Sequence, residues 1–107
     1  MKMETNRYNH SKTYKIVDLV DGYFYIGSAC QSLSKRLYEH KSLALKYPER
    51  KFYERFIFIS WNVDIVLIKE YNLENKEQLH REEDRIICLH KENDKCLNSN
   101  RAFLRKK

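Results

Sequence analysis

Two short runs near the start of the chain, over 13–20 and 23–27, are dense in β-branched and aromatic residues. Such residues favour strands because their side chains fit a pleated surface. The dipeptide Asp21-Gly22 lies between the runs, and an Asp-Gly pair there is typical of a two-residue hairpin turn, in which both residues need positive φ. The pattern predicts an N-terminal β-hairpin in which Val20 faces Tyr23.

Apolar residues at helical spacing follow the hairpin. Leu33, Leu37 and Ala44 fall on one face of a helix, and Pro48 ends the pattern. Serines stand at the start of this segment, where a hydroxyl can cap the first turn. The spacing predicts a helix over 33–46.

The second half of the chain predicts a further strand and helix. Segment 51–61 fits a short helix followed by a strand, and its periodicity does not decide between the two. Segment 64–71 predicts a strand with an inner aliphatic run at 65–68. An Asn and a Gln at the ends of 75–78 form a variant capping box, which predicts a helix over 76–90.

One carboxylate falls on the apolar stripe of the second predicted helix. Glu83 lies four residues after Leu79 and four before Ile87, on the face that should be buried. A carboxylate there is unfavourable unless it is paired or bound to a metal. The residues leave two interpretations open: a salt bridge, for instance to Arg36, or a ligand for a hard cation such as Mg²⁺.

Two other pairs of residues have both a structural and a chemical interpretation. Arg36 and His40 lie four apart on the first predicted helix, either as solvated side chains or as a guanidinium that stabilises phosphoryl charge beside an imidazole that relays a proton. Tyr14 and Tyr25 lie on the two hairpin strands, where tyrosines are usually packing residues.

Composition indicates one basic domain. The chain has 107 residues and 42% hydrophobic content, which suits a single folded unit. Its net charge of +6 fits the binding of a polyanion such as nucleic acid. The basic residues are spread along the chain apart from a short basic tail at 101–107, so the fold must gather them.

The cysteines and the apolar runs argue against a disulfide-rich, zinc-binding, secreted or membrane-spanning protein. Three cysteines without a CxxC spacing indicate buried thiols and no disulfide framework. Zinc binding by Cys88, His90 and Cys96, with His80, matches no standard ligand spacing. No run reaches 18 apolar residues and the N-terminal segment lacks an apolar signal region, so we expect a soluble, intracellular protein without membrane association.

Taken in order along the chain, these residues resemble the GIY-YIG nuclease family. A tyrosine is followed after ten residues by Tyr-Ile-Gly, then by an Arg, by a His four residues later, by a glutamate on a helix and by a late asparagine. The resemblance covers about residues 12–100. Segment 25–40 is most similar to small stand-alone members found in large DNA viruses and mobile elements. The matching residues are Tyr14, Tyr25, Gly27, Arg36, His40, Glu83 and Asn98.

The resemblance implies an α/β (α+β) domain with a small three-stranded antiparallel sheet flanked by helices. Residues 12–100 would form this domain, after a flexible lead-in at 1–11 and before the basic tail at 101–107. Members of the family hydrolyse phosphodiester bonds in DNA with one divalent metal. We therefore expect Mg²⁺, with Mn²⁺ as a substitute, DNA as the partner, and no small-molecule cofactor. One site per chain implies nicking, or a homodimer for a double-strand break.

The resemblance also implies a role for each matching residue. Glu83 would hold the metal and Arg36 would offset charge on the phosphate. A tyrosine, either Tyr14 or Tyr25, would accept the proton of the attacking water, positioned by His40. The late Asn98 would orient groups by hydrogen bonding, and Gly27 closes the second motif. Weaker nucleic-acid contacts are expected at Lys35, Lys41, Arg101 and Arg105.

The chain departs from the family pattern at its first motif, which reads Lys12-Thr13-Tyr14 in place of Gly-Ile-Tyr. We expect a changed strand edge there, with the site retained. The segment Ser28-Ala29-Cys30 also lacks the lysine that some members carry after the second motif. No appended DNA-binding module is expected.

Two alternatives to an active nuclease follow from the residues. The altered first motif would also suit an inactive nucleic-acid-binding relative of the same fold. A cluster of aromatic residues would suit a small basic protein that binds another protein, although burial in the core is the favoured interpretation of that cluster. Its members are Phe52, Tyr53, Phe56, Phe58 and Trp61.

Overall fold

The computed structural model describes residues 6–98 as one sheet with helices on both of its faces. A 3-10 turn at Arg7–His10 comes first, followed by β1 (Ser11–Asp18), β2 (Phe24–Ala29), α1 (Leu33–Lys46), α2 (Lys51–Phe58), β3 (Val63–Tyr71) and α3 (Lys76–His90). The strands are antiparallel in the order β2-β1-β3. The predicted α/β fold with a three-stranded antiparallel sheet is confirmed.

Both predicted helices have the predicted bounds because their caps are local. The Ser32 side chain accepts a hydrogen bond from the Lys35 N–H, and Asn75 accepts one from the Gln78 N–H. The Gln78 side chain accepts from the N–H of Glu74, one residue earlier than in the usual capping box. Each cap satisfies N–H groups that a helix start leaves free.

The hairpin loop is longer than the predicted two-residue turn. Val17 pairs with Phe24, so the loop spans 19–23 and the predicted pairing of Val20 with Tyr23 is wrong. Of the loop residues only Gly22 has positive φ, at 82°, whereas the two-residue turn needs two such positions.

Asp18 is the physical reason for the longer loop. Its buried carboxylate accepts hydrogen bonds from the N–H groups of Val20 and Asp21, at 2.6 and 3.0 Å, and from Arg55 Nε at 2.8 Å. Burial acts to raise the pKa of Asp18, but these hydrogen bonds outweigh it and hold the pKa below its usual value. An aspartate that binds the following N–H groups competes with the tighter turn.

The aliphatic run of β3, which was predicted to be buried, is largely exposed to solvent. Val66, Leu67 and Ile68 are 39%, 45% and 39% exposed, so that prediction is wrong. β3 is an edge strand, and α3 packs against β2 and β1 instead. A run of apolar residues predicts a strand, but the sequence pattern alone does not say which strand the helices cover.

The undecided segment forms α2 and a turn at 59–62 before β3 begins. In that turn Ser60 and Trp61 have φ of 56° and 57°. The favoured core interpretation fits most of the aromatic cluster: two members are buried and two are partly buried against the core, whereas Phe58 is 79% exposed. The buried members are Tyr53 and Phe56, and the partly buried ones are Phe52 and Trp61.

Two hydrophobic clusters hold the helices to the sheet. Alternation along β2 places Phe24 and Ile26 on one face, where they pack against Ile86 and Ile87 of α3. The other cluster, with α1 and α2 around it, consists of Tyr14, Ile16, Ala29, Phe56 and Leu97. This second cluster places the motif tyrosine of β1 beneath α1.

Regular structure begins within the predicted lead-in, since the 3-10 turn and the first residue of β1 fall inside 1–11. The side chain of Asn6 ties this turn to the chain after β3 by donating to the carbonyls of Leu73 and Glu74. The predicted tail at 101–107 lies outside the described residues. Within 6–98, every helix is too short or too polar to cross a membrane.

Candidate active site

The hydroxyl of Tyr14 is the point where two predicted site residues meet. Tyr14 lies in the central strand β1 and is fully buried. Arg36 Nε donates to its oxygen at 3.0 Å, and His40 Nε2 lies 2.7 Å away. Because Arg36 and His40 are one helical turn apart on α1, a single helix face supplies both contacts.

His40 connects Tyr14 to a second buried tyrosine. Its Nδ1 lies 2.9 Å from the hydroxyl of Tyr53 on α2, and His40 is 2% exposed. Burial lowers the pKa of His40 to about 3, and the charge of Arg36 acts in the same direction. The imidazole is therefore neutral at physiological pH, with one donor and one acceptor nitrogen.

The neutral state of His40 makes the free energy of unfolding depend on pH. The unfolded imidazole takes up a proton below about pH 6.5, whereas the folded state does so only near pH 3. Because the unfolded state binds more protons between these values, stability falls as the pH is lowered through this window. From pH 7 to pH 5 we expect His40 to account for a loss of about 2 kcal/mol.

Urea unfolding of the wild type and of His40→Gln at pH 7, 6 and 5 measures this contribution. Glu83 and Asp18 titrate in both proteins, so the difference between the two pH dependences isolates the histidine. Equal pH dependences in the two proteins would contradict the neutral, buried imidazole.

Gly27 lies directly against the ring of Tyr14, with which it pairs across the hairpin. A Cβ atom on Gly27 would lie 2.5 Å from the Tyr14 hydroxyl oxygen and 2.6 Å from Cζ. These separations are shorter than van der Waals contact. The glycine is required at this position for close approach, since its φ is not in the left-handed region.

Tyr25 packs beside this centre without sharing its hydrogen bonds. Its ring is stacked on Phe52 with centroids 3.9 Å apart and meets the edge of His40 at 5.7 Å. Burial raises the pKa of Tyr14 to about 12, against the opposing charge and hydrogen bond of Arg36. Burial raises the pKa of Tyr25 further.

Glu83 reaches the same region from α3. Its carboxylate accepts a hydrogen bond from the hydroxyl of Ser28 in β2, and its charge acts on both Tyr14 and Tyr25. Burial raises the pKa of Glu83, and the Ser28 hydrogen bond and the charge of Arg36 only partly oppose this.

Glu83 is not in the salt bridge that the sequence left open. Arg36 Nη1 pairs with Glu39 at 3.0 Å, and Glu83 has no ion pair within 4.0 Å among residues 6–98. A partly buried carboxylate without a paired cation suits a hard divalent ion, which prefers oxygen ligands.

Two carboxylates lie near the motif residues, and Glu83 is the one without an ion pair among residues 6–98, because Glu39 is paired with Arg36. The described part of the chain has no group of three or more His, Cys, Asp or Glu side chains that could hold an ion. The four side chains considered for zinc, those of Cys88, His90, Cys96 and His80, do not come together in such a group. The donor set fits Mg²⁺, which keeps several waters and takes one or two carboxylates together with phosphate oxygens.

A cleft of about 330 Å³ opens beside Arg36 and Ser28. Its lining includes three cationic or titratable side chains that the sequence analysis did not assign to this site, namely Arg7, Lys76 and His80. The sequence could not place them together, because Arg7 comes from the 3-10 turn and Lys76 and His80 come from the start of α3.

The predicted nucleic-acid contacts on α1 are not part of this cleft. Lys35 is exposed on the first turn of α1. The ammonium of Lys41 lies 5.8 Å from the centre of the Trp61 ring. Arg101 and Arg105 fall outside the described residues.

Asn98 acts on the backbone of β2 and not on the cleft. Its Oδ1 accepts from the Ile26 N–H at 2.9 Å, and its Nδ2 donates to the Ile26 carbonyl at 2.8 Å. The chain before it is bonded to the same strand edge, since the Leu97 N–H donates to the Phe24 carbonyl. Asn98 thus fixes the strand segment between Tyr25 and Gly27.

Two residues that contact the predicted site residues were missed from the sequence. Ser28 holds the carboxylate of Glu83, and Tyr53 holds the ring of His40. No spacing rule links either pair, because one contact depends on how α3 docks on the sheet and the other on how α2 packs against α1.

Comparison with known proteins agrees with this geometry. A family model described as the GIY-YIG catalytic domain matches residues 10–95 of the 107. No curated protein and no solved structure matches the chain. The matched span holds Tyr14, Gly27, Arg36, His40 and Glu83 in the order that the sequence analysis described. The chain is therefore a member of the GIY-YIG nuclease family.

Proposed function

We propose that this chain is a metal-dependent DNA endonuclease that hydrolyses phosphodiester bonds with a single Mg²⁺. The observation that carries the proposal is the arrangement at Tyr14. Arg36 and His40 meet at its hydroxyl, and the carboxylate of Glu83 acts on it without an ion pair of its own. A base, a phosphate-binding cation and a metal ligand are the groups that hydrolysis of a phosphodiester needs.

Glu83 is the residue that would hold the metal. Bound Mg²⁺ supplies charge neutralisation at the scissile phosphate and at the leaving oxygen. Arg36 donates hydrogen bonds to the non-bridging oxygens, whose charge increases in the transition state. Ser28 fixes the orientation of the Glu83 carboxylate through its hydroxyl.

Of the two tyrosines, Tyr14 is the one that we assign as general base. Its pKa is raised less than that of Tyr25, because Arg36 donates to its oxygen. Arg36 also lines the cleft, so its guanidinium lies between the buried hydroxyl and the solvent. When Arg36 turns toward a phosphate, the Tyr14 oxygen would become accessible to the attacking water, and as it takes the proton of the water it would pass its own hydroxyl proton to His40 Nε2, 2.7 Å away.

The substrate path that we propose follows the cleft. A DNA strand whose scissile phosphate lies at Arg36 would extend toward Arg7, Lys76 and His80. Neutralisation of about five phosphates corresponds to a log–log salt slope of about −4.5 in binding. One site per chain gives a nick, and cutting both strands would need two copies.

Relaxation of supercoiled plasmid tests the proposed activity. We expect nicking by the wild type with Mg²⁺ or Mn²⁺ and none in EDTA. Arg36→Ala should lower the rate by about 10²–10³-fold, the range observed when one donor to a developing charge is removed. Lys46→Ala, which removes an exposed cation from the same helix, should leave the rate unchanged. A folded wild type that binds DNA but never nicks it would overturn the proposal.

That outcome would support the second candidate, an inactive DNA-binding relative. The observation in its favour is the sequence Lys12-Thr13 before Tyr14. Both residues pair regularly with β2, although the pairing of β1 with β3 shifts register between Thr13 and Tyr14. The hydroxyl of Tyr14 nevertheless keeps both of its partners, which favours the active enzyme.

A further inference from the structure

Glu39 lines the cleft and makes a contact that the proposed roles do not explain. One oxygen of its carboxylate, Oε1, accepts two hydrogen bonds, from Gln31 Nε2 at 2.7 Å and from Arg36 Nη1 at 3.0 Å. The two donors belong to different segments, because Gln31 lies in the connection between β2 and α1 and Arg36 lies in α1. Two side chains thus form a small anion-binding position, which the carboxylate of a third side chain fills.

The charge of the cleft favours an anionic ligand at this position. Among residues 6–98, the lining of the cleft has three Lys or Arg side chains, those of Arg7, Arg36 and Lys76, and one acidic side chain, that of Glu39. An excess of cations in a cleft attracts anions. A phosphate oxygen is an acceptor of the same sign of charge as Glu39 Oε1, and guanidinium groups bind both carboxylates and phosphates.

Glu39 can leave this position at little cost, whereas Arg36 is disfavoured without an anionic partner. The side chain of Glu39 is 42% exposed, and exposed ion pairs contribute little to stability because water solvates both charges. The side chain of Arg36 is 27% exposed, so loss of its partner without replacement would leave a largely buried charge unpaired. Exchange of the Glu39 carboxylate for a phosphate keeps Arg36 paired.

We propose that Gln31 and Arg36 form a subsite for a phosphate oxygen, and that Glu39 occupies this subsite in the free protein as a competitor that an incoming phosphate displaces. Gln31 is then a phosphate-binding residue beside Arg36, and Glu39 lowers the affinity of the cleft for anions. The subsite is a property of this chain alone, and its use in cutting DNA rests on the proposed nuclease function.

Titration of the full chain with inorganic phosphate in EDTA, followed by nitrogen-15 NMR of side-chain N–H groups, tests the subsite without any substitution. We expect the signals of the Gln31 amide and of Arg36 Nε–H to shift together along one saturable curve. The amide of Gln78, which lines a different cavity, should not shift. Absence of a shift at Gln31 overturns the proposal, whether or not Arg36 responds.

Glu39→Gln tests the competitor, because it removes the charge and keeps the size of the side chain. We expect its affinity for inorganic phosphate to rise about two- to fivefold, the range that corresponds to an exposed ion pair. Glu82→Gln is the matched control, since Glu82 pairs with Arg85 at the same i,i+3 spacing and does not line the cleft. An affinity of Glu39→Gln that does not exceed that of Glu82→Gln overturns the competitor role.

The double variant Gln31→Ala/Glu39→Gln separates the subsite from the general electrostatic effect of removing a negative charge. It should bind phosphate no more tightly than the wild type, because the lost hydrogen bond to a charged group outweighs the gain from Glu39→Gln. A double variant that binds phosphate more tightly than the wild type would refute the role of Gln31.

Plasmid nicking extends the test from inorganic phosphate to the DNA backbone. Glu39→Gln should lower KM for DNA about two- to fivefold and leave kcat unchanged, because the competitor is displaced before the chemical step. Gln31→Ala should raise KM by about tenfold, as expected for the loss of a hydrogen bond to a charged group.

The two kinds of assay distinguish failure of this proposal from failure of the nuclease assignment. If phosphate shifts Gln31 and Arg36 as expected and the wild type does not nick plasmid, the nuclease assignment fails and the subsite stands. If nicking is intact and Gln31 does not respond to phosphate, the subsite fails and the nuclease assignment stands.

Discussion

Glu83→Gln is expected to abolish metal-dependent nicking, by about 10³-fold or more, and to leave the protein at least as stable as the wild type. The amide keeps the size of the side chain and can still accept from the hydroxyl of Ser28. It removes the charge that would hold the metal, whose contribution of several kcal/mol corresponds to this factor.

The stability expectation follows from the sign of the pKa shift. Burial raises the pKa of Glu83 in the folded state, so ionisation of this carboxyl at neutral pH disfavours folding. Glutamine removes that penalty at pH 7, and the advantage shrinks as the pH falls and Glu83 becomes protonated in the folded protein. Urea midpoints at pH 7 and pH 5, measured beside nicking rates over a range of Mg²⁺ concentrations, check both parts.

Glu82→Gln is the matched control, because Glu82 is the preceding residue on α3 and pairs with the exposed Arg85. Its nicking rate should equal that of the wild type. If nicking survives Glu83→Gln at the wild-type rate, the metal has been assigned to the wrong residue.

Gly27→Ala is expected to have the second large effect, on both stability and activity. The new methyl group would lie 2.5 Å from the oxygen of Tyr14, and the Tyr14 ring cannot move freely because it is fully buried and bonded to Arg36 and His40. Overpacking of this kind destabilises by about 1–3 kcal/mol. A hydroxyl displaced by about 1 Å should lower the nicking rate by about 10²-fold.

Gly22→Ala separates this effect from the general effect of losing a glycine. Gly22 has φ of +82° but no atom within 4 Å of an added Cβ. Alanine there should lower stability by about 1–2 kcal/mol through backbone strain alone and leave nicking unchanged. Thermal unfolding and plasmid relaxation of the two variants measure the contrast. Equal nicking by Gly27→Ala and Gly22→Ala would refute the close-approach role of Gly27.

The elements that the sequence predicted well depend on neighbouring residues. The bounds of α1 and α3 were predicted because Ser32 and Asn75 cap them within one turn. The hairpin loop was mispredicted because the Asp18 carboxylate, which lies outside the Asp-Gly pair, binds the loop N–H groups. The exposure of β3 depends on where α3 docks, which no local pattern encodes.

The candidate site also has a part that could be predicted from the sequence and a part that could not. Residue patterns alone left Arg36, His40 and Glu83 open between structural and chemical roles, and the family resemblance supplied their order along the chain. The convergence on Tyr14 bridges sequence separations of 22 and 26 residues. Contacts such as that of Tyr53 with His40 become apparent only when the helices are docked.

The strand order also has a consequence for how the molecule folds. β1 pairs with β2 across a short loop, but its pairing with β3 joins Ser11 to Tyr71, and such distant pairings slow folding because a long loop must close first. The hairpin that brings Tyr14 against Gly27 is therefore local, whereas Glu83 arrives only when α3 docks. We expect the proposed nicking activity to appear with the last long-range contacts to form, and not with the hairpin that carries the motif.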